Sequence, residues 1–96
     1  MEKLHSAEQL SSYRNTIDNL DAALIHILAE RFRCTNKIGE LKATYNLPEV
    51  DTNREEIQLS RLKTIAQDAG LDQTIVEKCM RLIISEVILR HSQMKN

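Results

Sequence analysis

The chain has 96 residues, enough for one small domain. Its 13 Lys+Arg nearly balance 14 Asp+Glu, which argues against a general nucleic-acid binder, for which a basic excess or stripe is expected. With 42% apolar residues but only two Tyr, one Phe and no Trp, the core must come from Leu, Ile, Val and Ala, and two Gly and one Pro exclude a turn-rich β-sandwich or barrel.

The first predicted helix covers about residues 7–45, a stretch with no proline and a single glycine, Gly39. Leu10, Tyr13, Ile17, Leu20, Leu24, Ile27, Cys34, Ile38, Leu41 and Tyr45 form a heptad-like seam, interrupted at one slot by Arg31. At about 1.5 Å per residue such a helix is about 58 Å long, well beyond the span of a compact domain of this size. The remaining residues cannot cover its seam, so a second copy of the chain is expected to do so.

Asn46-Leu47-Pro48-Glu49-Val50 ends this helix. Asp51 or Thr52 can N-cap a second helix over 52–69, and Thr52-x-x-Glu55 fits a capping box. Ile57, Leu62, Ile65 and Ala69 are its expected inward residues, and Gly70 suits a left-handed C′ position. Asp72 can cap a third helix over 72–93, whose stripe is Val76, Met80, Ile83 and Val87. The expected architecture is all-α, three helices in a single domain spanning 1–96.

Cys34 and Cys79 are far apart and, with His5, His26 and His91, match no zinc spacing; they read as buried reduced thiols. No stretch approaches the roughly 18 apolar residues of a membrane span, and the N-terminus has no apolar signal region. The chain is expected to be soluble and cytoplasmic.

Several charged residues stand out. Arg31, in the inward row, is either a snorkelling or salt-bridged arginine, perhaps paired with Glu30 or a neighbour's Asp21, or a guanidinium held for an anionic ligand. Lys42 follows eleven residues later, rotated by about 20° and displaced by about 16 Å, so the two cations can hold both ends of one small dianion. Arg14 lies about 25 Å from Arg31 on the same helix and can join that site only from a second, oppositely running chain. In Asp51-Thr52-Asn53-Arg54-Glu55 the carboxylates can serve the helix start alone, but a cation between them also suits a ligand bearing carboxylate and hydroxyl groups. His91 continues the third helix's stripe, as a dipole-stabilised cap or as a hydrogen-bond donor at one end of a buried site. There is no nucleophile elbow, phosphate loop or metal box, so any chemistry here needs neither a covalent intermediate nor a cofactor.

The pattern Arg14…Arg31…Lys42…Asp51-x-x-Arg54-Glu55, with Ile17-Asp18-x-Leu20-Asp21 and Leu28-Ala29-Glu30-Arg31, closely resembles the all-α chorismate mutases from about Leu10 to His91. The resemblance implies an intertwined homodimer with two equivalent sites. It implies that Arg31 and the partner chain's Arg14 bind the substrate carboxylates, and that Lys42 binds a carboxylate and the ether oxygen. Asp51 and Glu55 would meet the ring hydroxyl side, with Arg54 supporting the carboxylate contacts. The family often has Gln or Glu where His91 stands, donating to the ether oxygen, a role His91 is expected to fill in either tautomer. It often has a small hydroxyl residue where Val87 stands, and Ser85, on another face, is not expected to replace it.

The implied reaction is the unimolecular rearrangement of chorismate to prephenate, an isomerase step of the shikimate pathway to the aromatic amino acids. Restraint of the dianion and stabilisation of the ether oxygen would supply the rate. An isochorismate-pyruvate lyase shares the fold and the Arg/Arg/Lys set, but the intact Asp51-x-x-Arg54-Glu55 favours the mutase. A 4-amino-4-deoxychorismate mutase and a non-enzymatic helical dimerisation module are further alternatives. At this length no fused dehydratase, dehydrogenase or synthase domain is expected, and the chain reads as monofunctional.

Overall fold

A computed structural model describes residues 2–95. They form three helices, α1 (Glu2–Thr44), α2 (Thr52–Ala69) and α3 (Gln73–Met94), as the sequence predicts. The difference at the start of α1 is physical: Glu2 to Ser6 contain no helix breaker and Glu2 puts a carboxylate in the first turn, so the helix begins five residues before the expected Ala7.

Local chemistry sets the remaining boundaries. Asn46 adopts a left-handed conformation (φ 52°), and the Leu47 N–H reaches back to the Lys42 carbonyl at 2.8 Å, closing α1 before Pro48. Asp51 is the N-cap of α2, its carboxylate accepting from the Arg54 N–H at 3.0 Å. The cap therefore falls one residue before Thr52, and the Thr52–Glu55 capping box is superseded. Gly70, at φ 73°, ends α2 with the paired bonds of a Schellman motif, Gly70 N–H to Gln67 O and Leu71 N–H to Ala66 O. Asp72 caps α3 by accepting from the Thr74 N–H at 2.8 Å.

The chain divides into two units. The first, residues 1–33, consists of the larger part of α1. Its seam residues Leu10, Tyr13, Ile17, Leu20, Leu24 and Ile27 are all exposed in the single chain, and among its described residues only Leu28, Ala29, Arg31 and Phe32 are half-buried. Glu30, one of the two carboxylates considered as a partner for Arg31, is paired with Arg33 at 2.7 Å.

The second unit, residues 34–96, contains the end of α1 together with α2 and α3. Among its described residues, Leu59, Ala66 and His91 are buried, together with Gly39. The expected α2 stripe is corrected here. Ile57, Ile65 and Ala69 are exposed, while Leu59 and Ala66 are buried and Glu55 and Leu62 half-buried, so α2 is rotated relative to the expected stripe. On α3 the stripe Val76, Met80, Ile83 and Val87 is half-buried and ends in buried His91, as expected. Glu77 links the two helices, receiving Lys63 at 3.0 Å and Arg81 at 2.8 Å, and the Gln73 side chain donates to the Lys63 carbonyl.

Both cysteines are free and exposed, not buried. Cys34 lies on the α1 seam, which the single chain leaves open, and Cys79 lies off the α3 stripe, beside exposed Lys78. No described helix is long and apolar enough to cross a membrane.

Candidate functional site

Arg14 and Arg31 belong to the first unit, and Lys42, Asp51, Arg54, Glu55, Val87 and His91 to the second. Arg14 is exposed on a face of α1 shared with Ser11, Asn15 and Asp18. Arg31 is half-buried, and its Nη1 is shielded from solvent with no hydrogen-bond partner. A guanidinium N–H that has lost its water without gaining an acceptor is unfavourable, and an acceptor from a ligand or from another chain would relieve it.

Lys42, in the last turn of α1, is half-buried and donates from Nζ to the Glu49 carbonyl at 3.3 Å. An ammonium has three donors, so this bond leaves two and restricts where they aim. Glu49 lies in the connection that leads to Asp51. The Asp51 carboxylate and carbonyl accept the backbone N–H groups of Arg54 and Glu55, each at 3.0 Å, so this acidic side chain is committed at least in part to starting α2. The Arg54 side chain is exposed, whereas Glu55 is half-buried and lines a groove with Leu59, Ile84, Ser85 and Ile88. Ser85 thus shares a groove with Glu55, while Val87 lies half-buried on the α3 stripe.

His91 is only 3% exposed. Its Nε2 lies 2.7 Å from the Thr35 carbonyl of α1. A backbone carbonyl only accepts, so Nε2 carries the proton and donates. Nδ1 is shielded and has no partner. The neutral ring therefore offers a lone pair at Nδ1, and only the imidazolium could donate a second hydrogen bond. This narrows the expectation that either tautomer could donate to a substrate oxygen, because one donor is already spent on Thr35.

The close approach behind this bond depends on Gly39. A methyl group at position 39 would stand 2.6 Å from His91 Cδ2 and 2.6 Å from Met94 Sδ. Thr35, Gly39, Met94, Glu49 and Lys95 were not identified from the sequence as site neighbours. A lone glycine inside a helical pattern was the available signal for Gly39, since it marks close packing of another element. The others carry no such mark. Among the described residues no group of three His, Cys, Asp or Glu side chains is placed to hold a metal ion.

Comparison with known proteins gives these residues a context. The family model for chorismate mutase type II matches residues 13–92. The chain is 31% identical over 91 residues to the bifunctional chorismate mutase/prephenate dehydratase of Buchnera aphidicola subsp. Schizaphis graminum, covering 95% of this chain and 24% of that protein. It is 31% identical over 78 residues to the T-protein of Enterobacter agglomerans, covering 81% of this chain and 21% of that protein. A chorismate mutase of Methanocaldococcus jannaschii is 26% identical over 77 residues, with 80% of this chain and 78% of that protein covered. The chain spans about a quarter or less of the first two relatives and most of the third. Matched over most of its length, from Tyr13 to Ser92, the chain belongs to the chorismate mutase type II family.

Proposed function

We propose that this chain converts chorismate to prephenate, in aromatic amino acid biosynthesis, as an intertwined homodimer. The observation that carries this reading is the shielded, unpartnered Nη1 of Arg31 in a chain of this family. A dimerisation module would pair that guanidinium with a protein carboxylate; within the chain Glu30 pairs with Arg33 instead, which leaves a neighbour's Asp21 as the competing acceptor. A substrate carboxylate supplies the missing acceptor, in the paired geometry that guanidinium groups favour.

In this reading Arg31 and the partner subunit's Arg14 hold the two carboxylates. The flexible enolpyruvyl arm is then restrained over the ring, which removes much of the entropy of reaching the reactive conformer. One C–O bond breaks as one C–C bond forms, and no proton is transferred. Negative charge grows on the ether oxygen, and Lys42 meets it with an N–H left free by Glu49. His91 adds a second donor to that oxygen when its ring is protonated at Nδ1. Asp51 and Glu55 face the ring hydroxyl, Arg54 supports the carboxylate contacts, and Val87 packs against the substrate without a polar contact. An acceleration of about a millionfold needs about 8 kcal/mol, within the reach of restraint and electrostatics together. No cofactor enters this scheme, and the two free thiols suit a reducing cytoplasm.

The test is chorismate consumption with product identification. Prephenate as the product supports the reading. Release of pyruvate from isochorismate, with chorismate untouched, replaces it with the lyase. Inertness toward both, with no thermal stabilisation by a bicyclic dicarboxylate resembling the transition state, leaves only a scaffold.

A further inference from the structure

We propose that Lys95 is a positioning residue, an ammonium clasp that holds the α1–α2 connection and, through it, Lys42 and the first turn of α2 in the arrangement that receives substrate. The inference rests on the chorismate-to-prephenate reading. Lys95 is the C-cap of α3, tied to that helix by its N–H to the Ser92 carbonyl. A lysine at a helix C-terminus could simply sit in water near the negative end of the dipole. Here it crosses to another part of the unit. Its Nζ donates to the Leu47 carbonyl at 2.6 Å, 48 residues away in sequence, and stands 4.0 Å from the Glu49 carboxylate.

The two contacts fall on a segment with few other restraints. Pro48, between them, has no N–H to give. Glu49 is shared by two ammonium groups: its carbonyl takes Lys42 at 3.3 Å and its carboxylate faces Lys95. Two residues further, Asp51 starts α2 and orients Arg54 and Glu55. Releasing Lys95 therefore removes one of the holds on Leu47 and one on Glu49, beside the bonds each makes to Lys42, and loosens the acceptor that aims Lys42 and the approach to Asp51. Bonds from an ammonium to a backbone carbonyl are among the stronger net hydrogen bonds, and the Lys95 side chain is largely withdrawn from solvent.

A clasp of this kind acts on the fraction of molecules competent to bind. If that fraction falls, the apparent dissociation constant rises in inverse proportion while turnover of bound substrate is unchanged. Loss of folded protein would do the opposite, lowering apparent kcat at constant KM. The experiment compares wild type, Lys95→Met, which keeps the stem without the donors, and Lys95→Arg, which restores a cationic donor. It reads kcat and KM for chorismate together with backbone amide exchange at Leu47, Glu49 and Arg54. The expected result is a KM raised about tenfold in the Met variant, with kcat within about twofold, faster exchange at those amides, and recovery of both in the Arg variant. An unchanged KM, a loss confined to kcat, or an equal defect in both variants overturns the clasp. If the wild type turns over no chorismate, the functional reading fails and the exchange comparison decides the clasp alone: faster exchange in the Met variant sustains it, and unchanged exchange overturns it.

Discussion

The Gly39 backbone lies against the His91 imidazole so closely that a methyl group at position 39 would stand 2.6 Å from His91 Cδ2 and 3.0 Å from Nε2. That ring cannot easily retreat, because Nε2 is bonded to Thr35 one turn earlier on α1. Gly39→Ala would gain about 1 kcal/mol of helix propensity but force α1 and α3 apart, at a typical cost of about 1–3 kcal/mol. A net loss in Tm of about 5 °C is expected by calorimetry at fixed protein concentration. The loss should shrink in a His91→Ala background, and an equal loss in both backgrounds would refute the contact as its cause.

In the proposed mechanism the electrostatic contribution rests on Lys42. Lys42→Ala should lower kcat by about 10²–10³-fold with a much smaller rise in KM, as for loss of a donor that acts in the transition state. Steady-state kinetics on chorismate check this, and an undiminished kcat would sink the proposed role.

The proposal that Arg14 completes the partner subunit's site can be tested by complementation between chains. Arg14→Ala and Arg31→Ala chains should each be nearly inactive alone. Unfolded, mixed and refolded together, half of the dimers are hetero-pairs with one intact site each, so about a quarter of wild-type activity should return. No recovery would mean that both arginines of a site come from the same chain. The exposed seam predicts the companion result, in that Ile17→Glu with Leu24→Glu should shift the sedimenting species from dimer to monomer.

Glu77 bridges α2 and α3 and contributes to their response to acid. Its hydrogen bond from Arg81, then that from Lys63, hold its carboxyl below the ordinary value of 4.5. A group whose pKa is lowered on folding binds fewer protons in the folded than in the unfolded state. Its contribution is therefore present above the unfolded pKa and is lost as pH falls through the lowered folded value. Glu77→Gln should lower Tm at neutral pH, and the gap should close as pH falls through the lowered pKa of the folded protein, where the Glu77 carboxyl becomes neutral. Parallel thermal melts across that range check it, and a constant gap between the two proteins would overturn it.

The residues also separate what was legible in the sequence from what was not. The helix ends were legible because their causes are local: Asn46 before Pro48, Asp51, Gly70 and Asp72 each act within a few residues of themselves. The α2 stripe was not. That helix carries Ile57, Leu59, Leu62, Ile65, Ala66 and Ala69, which form two interleaved rows at helical spacing. Which row turns inward depends on where α3 lies, and the outcome favoured Leu59 and Ala66.

The charges of the candidate site follow the same division. By itself the sequence determined the helices, their caps and the register of Arg14, Arg31, Lys42, Asp51, Arg54 and Glu55, since rise and rotation per residue need no tertiary information. Only the tertiary structure decided that His91 spends its Nε2 proton on Thr35, that Gly39 makes room for it, and that Lys95 reaches Leu47. These contacts join residues about fifty positions apart, and hydrogen bonds a few ångströms long exist only once packing has brought such distant segments together.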